Sequence, residues 1–207
     1  MNSKFDRSDV RILQKEIVYQ GHFQLEQWKV KFRLFSGGWS ATQIREVFER
    51  GEAIGILLFD TNSNQLVLIE QFRVGIADKA KNPWLIEIVA GVINKGESLE
   101  QVARRETQEE TGLEITNLFP ICQYWVSPGG SSERIYLFCG QVDAELAKGI
   151  HGVAEEGEDI RLHVLSLKVA YNLLNQGKFN NASTIIALQW LQQNEQKVRD
   201  AFLKKSE

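Results

Sequence analysis

The chain has no run of lysine and arginine, no apolar window of membrane-spanning length, no internal repeat or low-complexity tract, and only two cysteines. With a net charge of −3 and no basic run, it lacks the field that draws proteins to nucleic acid. No nucleic-acid partner is expected, and the charge of an anionic substrate has to be met by a few local cations. The missing apolar window, which would need roughly 20 residues, excludes a membrane-spanning helix, and no membrane partner is expected. The opening stretch MNSKFDRSDVR is polar with no apolar core, so the protein is expected to stay in the cytoplasm. Cys122 and Cys139 lie in apolar runs and match no C-x-x-C spacing, which reads as two reduced core thiols of a cytosolic protein.

What is present is ordinary in bulk. At 207 residues, 43% apolar and 25% charged, the chain has the composition of a soluble globular protein. Its length suits one good-sized domain, or a domain with a substantial extension.

The unusual stretch is Gly91 to Leu113, GVINKGESLEQVARRETQEETGL. Ser98 followed three residues later by Gln101 is a capping-box pair, so a helix is predicted to open near Leu99. Gly112 supplies the stop, because glycine accepts the left-handed conformation that ends many helices. On a wheel at about 100° per residue, Leu99, Val102 and Ala103 mark the buried stripe, and Glu106 and Glu110 continue it. A buried, unpaired carboxylate costs several kcal/mol or takes up a proton, so something positive must face these two. Glu109 lies beside the pair and no lysine shares the face, which makes a hard divalent cation held through oxygen the economical answer. The competing reading is an acidic, solvated face.

Elsewhere, residues 10 to 36 read as strands joined at Gly21, and Trp28 to Leu34 alternates apolar and basic residues. Gly37-Gly38 marks a turn. Strands are expected at 53–59 and 65–73, paired as a hairpin around Asp60 to Asn64 and ending in Arg73. Trp84 to Ala90 reads as one short strand leading into Gly91. Apolar runs at 118–126 and 134–142 flank a loop at 127–133, and a strand at 160–166 precedes helices near 167–176 and from Asn181 to Lys204. This order suggests an α+β or α/β/α sandwich.

Residues Glu155 to Asp159 carry four carboxylates around Gly157. Such a loop is ordinarily solvated and mobile. The glycine lets it fold tightly, so one carboxylate could reach a metal while a neighbour meets an attacking water, which needs a base not already used as a ligand. His151 and His163 read as structural, since magnesium prefers oxygen.

Gly91, Glu97 after five intervening residues, and after seven more the run Arg105-Glu106-Thr107-Gln108-Glu109-Glu110-Thr111-Gly112-Leu113 resemble the Nudix box. Thr107 departs from it, standing where that family usually has an aliphatic residue; the wheel puts it at the edge of the stripe. Pro128, sixteen residues after Gly112, the Ser-Pro-Gly-Gly-x-Ser-Glu loop, Gly149 to Gly152 and Glu156 to Asp159 are similar to the bacterial ADP-ribose pyrophosphatases of that family.

The resemblance implies a Nudix fold, a mixed sheet between helices over residues 51–207, preceded at 1–50 by an antiparallel N-terminal β domain that exchanges between the subunits of a homodimer. It implies magnesium-dependent hydrolysis of ADP-ribose, with two or three ions per site and manganese as a substitute. By the same resemblance Glu156 is the base, and Glu106, Glu110, Glu158 and the Ala90 carbonyl are the metal ligands. Substrate contacts are His22, Phe23, Arg45, Glu46, Arg50, Arg73, Val92, Ser127, Pro128, Gly129 and Glu133. His22 departs from the aromatic ring that relatives carry for stacking. Taken without the family, Arg45, Arg50 and Arg73 read as solvated surface arginines. The alternatives are another nucleoside diphosphate sugar as substrate, or a module that binds ADP-ribose without cleaving it. A dimer also follows from the chain itself: Trp28, Val30, Phe32 and Leu34 form an apolar strand face in a segment too small to bury it alone. The rival is that this segment folds on its own chain's sheet.

Overall fold

The computed structural model describes residues 4–204. The chain divides into two compact units, one of Met1–Glu52 with Trp125–Arg134, the other of Ala53–Tyr124 with Ile135–Glu207. The first unit therefore gains a segment from the middle of the chain.

Its sheet is three antiparallel strands in the order β1 (Val10–Gln20), β2 (Gln24–Phe32) and β3 (Gln43–Glu49). β1 and β2 form a hairpin through Gly21, with Ile12 opposite Val30 and Lys15 opposite Trp28. β3 lies between the Gly37-Gly38 turn and the strand expected from residue 53, where the residues themselves marked no strand. It reads poorly as a strand because Arg45, Glu46 and Glu49 interrupt its apolar residues, but pairing with β2 satisfies its backbone. The 125–134 segment returns to this unit through backbone bonds from Phe48 to Gly130 (2.8 Å) and from Ser132 to Phe48 (3.1 Å).

The second unit is built on a mixed sheet in the order β10 (Ile150–His151), β11 (Ile160–Ser166), β5 (Gln65–Phe72), β4 (Glu52–Asp60), β9 (Arg134–Gln141), β8 (Asn117–Trp125). β6 (Trp84–Glu87) pairs with β5, and β7 (Val89–Val92) pairs with β4. The helices are α1 (Leu99–Thr111), α2 (Leu167–Asn175) and α3 (Ala182–Leu203).

β4 and β5 are buried on both faces, and their alternate residues feed two separate cores. Ile54, Ile56, Leu58, Val67 and Ile69 pack with Val102 and Ala103 of α1. Leu57, Phe59, Leu66 and Leu68 pack with Ala170 of α2 and Ala187, Leu188 and Leu191 of α3. This is the layered arrangement expected of an α/β/α sandwich.

Three local expectations are corrected. Trp84 to Ala90 is two strands, because the Ile88 amide leaves the ladder and donates to Thr184 Oγ1 at 3.1 Å. Thr107 lies in the core rather than at its edge, fully buried with a hydroxyl that has no partner among the described residues. Cys122 is exposed, since β8 turns Ile121 to the core and the next residue away from it; Cys139 is buried, and burial pushes its thiol far up from its ordinary range.

Candidate active site

Helix α1 forms where its end signals place it. Ser98 Oγ accepts from the Gln101 amide (3.3 Å), Gln101 Oε1 accepts from the Ser98 amide (2.8 Å), and Gly112 ends the helix at φ +69°. Arg105 ties the helix to the loop before it. Its Nε donates to Glu97 Oε1 (3.0 Å), its Nη1 to Glu106 Oε1 (2.7 Å) and Glu109 Oε2 (3.0 Å), and its Nη2 to the Val92 carbonyl (3.3 Å). Glu97 is held at the other oxygen by the Asn94 amide (3.0 Å). The Arg105 hydrogen bond keeps the Glu97 carboxyl below its ordinary range. A Cβ at Gly91 would collide with the Glu106 carboxyl, so a glycine lets the β7 backbone pass this close.

Glu110 is 3% exposed and its Oε2 accepts from the Ala90 amide at 3.1 Å. Burial raises its proton affinity well above the ordinary value, and the charges of Glu106 and Glu158 add to the rise while Arg73 opposes it. Glu106 is pushed up to about 7, first by burial, against the attraction of Arg105 and with the repulsion of Glu109 and Glu158. Three carboxylates from two segments thus repel one another across a single site. Glu158 is set by its own loop: its Oε2 accepts from the Val153 amide at 3.0 Å, and the Gly152 amide donates to the Glu109 carbonyl at 3.1 Å, fastening that loop to α1. Glu156 ends a short 3-10 turn, exposed, before Gly157 at φ +72°. Among the described residues no three His, Cys, Asp or Glu side chains stand as a ready-made metal cage. Glu106 and Glu110 are turned instead to Arg105 and the Ala90 amide. The donor chemistry nonetheless suits a hard cation: the groups that cluster are oxygen-only, poorly solvated, mutually repelling carboxylates whose charge a divalent ion would relieve.

Arg73, just after β5, donates through Nε to Glu87 Oε2 at 2.7 Å. Val92 is exposed, and its carbonyl serves Arg105. The first unit collects another group. The Arg50 guanidinium stacks on Phe23 at 4.2 Å and pairs with Glu133 Oε1 at 3.2 Å, while His22 meets Phe23 edge-on at 4.5 Å. Ser127 to Gly129 form an exposed turn, closed by the Gly130 and Ser131 amides on the Ser127 carbonyl. Arg45 and Glu46 stand exposed on β3, and Arg45 donates to the Ile44 carbonyl and to Gln43.

The sequence did not point to four residues that support these groups. Phe48 packs against Phe23 at 5.2 Å, and Ser132 accepts from the Arg50 amide at 2.9 Å. Glu87 and Asn181 stand behind Arg73. Only Glu87 left a signal, as a carboxylate inside an apolar strand.

A model of the NUDIX domain matches residues 49–188, more than half of the chain. The chain belongs to the NUDIX family. Within that family it is 47% identical over 198 residues to the ADP-ribose pyrophosphatase of Escherichia coli (strain K12), covering 96% of this chain and 95% of that one. It is 43% identical to the ADP-ribose pyrophosphatase of Haemophilus influenzae, covering 92% and 89%, and 31% identical to the GDP-mannose pyrophosphatase of Pectobacterium atrosepticum, covering 88% and 93%. A solved structure described as an ADP compounds hydrolase shares the fold with a TM-score of 0.70 at 23% identity, over 89% of this chain and 93% of that one.

Proposed function

We propose that the protein is a metal-dependent hydrolase that cleaves ADP-ribose to AMP and ribose 5-phosphate. The observation that carries the reaction class is the mutual repulsion of Glu106, Glu110 and Glu158, buried or half-buried carboxylates whose charges raise the proton affinity of Glu106 and Glu110. The substrate follows from the two ADP-ribose pyrophosphatases that the chain resembles along almost its whole length.

Glu106, Glu110, Glu158 and the Ala90 carbonyl would hold magnesium, two or three ions, with manganese as a substitute. When bound, the metal neutralises the diphosphate and makes water a better nucleophile at neutral pH. The chain's own residues do the rest. Arg105 fixes the glutamate-bearing face of α1 against the end of β7 and the loop that carries Glu97. Glu156, exposed and free of hydrogen bonds among the described side chains, is the base that takes the proton of the attacking water. Arg73 meets the diphosphate with its guanidinium fork. Val92, Ser127, Pro128, Gly129 and Glu133, with His22, Phe23, Arg45, Glu46 and Arg50, bind the remainder of the substrate. The first fifty residues form the dimerisation domain of a homodimer. No helix of the described residues is long and apolar enough to cross a membrane, and the place of action we propose is the cytoplasm.

The GDP-mannose pyrophosphatase among the relatives favours one second reading, a different nucleoside diphosphate sugar. Comparing kcat/KM for ADP-ribose, GDP-mannose and other nucleoside diphosphate sugars with magnesium separates the two: the proposal expects ADP-ribose to lead and AMP to appear. Binding of ADP-ribose without AMP release would instead make the protein a sensor.

A further inference from the structure

Glu87 is 2% exposed, and the chemistry derived so far does not use it. Both its oxygens are engaged. Oε2 accepts from Arg73 Nε at 2.7 Å and Oε1 from Asn181 Nδ2 at 2.6 Å. Asn181 is the N-cap of α3: its Oδ1 accepts from the Thr184 amide (3.1 Å) and hydroxyl (3.2 Å). The capping bond fixes which way the amide faces, so the NH2 group has to point to Glu87. Thr184 Oγ1 in turn accepts from the Ile88 amide, one residue beyond Glu87, and breaks the strand there. The start of α3, the break between β6 and β7, and Arg73 are thereby joined in one chain of hydrogen bonds.

The mode of the Arg73 contact is informative. The carboxylate takes the guanidinium end-on through Nε alone; among the described residues Nη1 and Nη2 make no hydrogen bond, and the Arg73 side chain is 40% exposed. A side-on, two-point pair would have used an Nη group. End-on capture stops rotation of the side chain and leaves the outer N–H groups for a second anion. A buried ion pair is in itself a weak source of stability, so its clearest consequence is where it aims the cation.

We infer that Glu87, set by the Asn181 cap of α3, is a positioning residue that aims the free Nη groups of Arg73 at the diphosphate of the substrate. The inference rests on the proposed function, in which Arg73 meets that diphosphate.

The probe is an ADP-ribose analogue with methylene in place of the bridging oxygen, titrated by calorimetry into the full chain with magnesium. Arg73→Ala should weaken binding roughly 10–100-fold, the range for losing charge-assisted bonds. Glu87→Gln should weaken it about tenfold, since glutamine has one oxygen where Glu87 uses two, and its NH2 group would face the donor of either Arg73 or Asn181. The double variant should bind no worse than Arg73→Ala alone, because Glu87 acts only through Arg73. Asn181→Ser keeps a capping oxygen but loses the NH2 group; it should fold normally and weaken binding several-fold, an effect that a helix cap alone would not produce. Methylguanidinium should restore binding to Arg73→Ala, but much less to the double variant. Should Glu87→Gln not fold, the Asn181→Ser result and the methylguanidinium rescue of Arg73→Ala carry the test. If Arg73→Ala is impaired while Glu87→Gln and Asn181→Ser bind within about twofold of the parent, the positioning role is wrong and the site reading stands. Additive losses in the double variant overturn it equally. If Arg73→Ala binds normally, the placement of Arg73 at the diphosphate fails, and the inference fails with it.

Discussion

Glu106→Gln tests whether the clustered carboxylates serve a cation or the fold. In the folded chain the Glu106 carboxyl titrates at about 7, against an ordinary 4.5, chiefly because it is buried. At about 1.4 kcal/mol per pH unit, the difference is about 3.5 kcal/mol. Its sign follows from linkage. The folded state binds this proton more tightly than the unfolded state, so the stability is fully present below pH 4.5 and is lost as pH rises through about 7. Glutamine is neutral at every pH and still offers an oxygen to Arg105 Nη1, the partner that Glu106 has at 2.7 Å. In chelator, the variant and the parent should therefore melt together near pH 5. At pH 8 the variant should melt higher by roughly 7–14 °C, taking about 2–4 °C per kcal/mol for a chain of this size. Comparing the two proteins cancels the titration of every group that does not sense Glu106; Glu110, which the Glu106 charge pushes up, shifts the variant in the same direction. Millimolar magnesium at pH 8 should reverse the order, because it stabilises by mass action only a chain that can bind it. Calorimetric melting at both pH values, with chelator and with magnesium, gives all four numbers. If the variant in chelator at pH 8 melts at or below the parent, Glu106 is there to hold Arg105, and the metal reading loses its physical basis.

Glu156→Gln should lower kcat roughly 10²–10⁴-fold with little change in binding of the methylene analogue; a rate within about threefold of the parent would transfer the role of base, with the neighbouring Glu155 the first residue to test. Thr107→Val removes a buried hydroxyl that has no partner while keeping the branched shape, so it should raise stability by about 1–2 kcal/mol in denaturant titration, and a loss would mean the hydroxyl is satisfied after all. A Glu106→Gln protein and a His22→Ala/Phe23→Ala protein, each impaired alone, should regain activity when their subunits are exchanged, because the mixed dimer holds one complete site. Exchanged dimers that regain nothing would show that His22 and Phe23 are not supplied by the partner, and a fully active monomer in sedimentation would remove the dimer altogether.

What could be read from sequence was what is decided within a turn or two of chain. The ends of α1 are set by Ser98, Gln101 and Gly112, all inside the element, and the inward stripe of Val102, Ala103 and Glu110 follows from the helical period. The break between β6 and β7 was illegible because its cause, Thr184, lies 96 residues from Ile88. Thr107 was misplaced for a related reason: the wheel gives the direction of a side chain but not how much structure closes over it, and here β10 and β11 also pack on α1. Cys122 misled because an apolar run does not say which alternate residues face the core.

The acidic loop shows the same limit at the site itself. Composition drew attention to residues 155–159, but which carboxylate turns inward is decided by backbone clearance. A Cβ at Gly152 would stand 2.7 Å from the Glu158 Cβ, so the glycine admits Glu158 beside the loop's own backbone. Gly91 does the same for Glu106 on the other side. Glu156, with no such neighbour, stays exposed. A glycine beside Glu106 and another beside Glu158, rather than the density of acidic residues, therefore mark these two carboxylates off from the exposed Glu156.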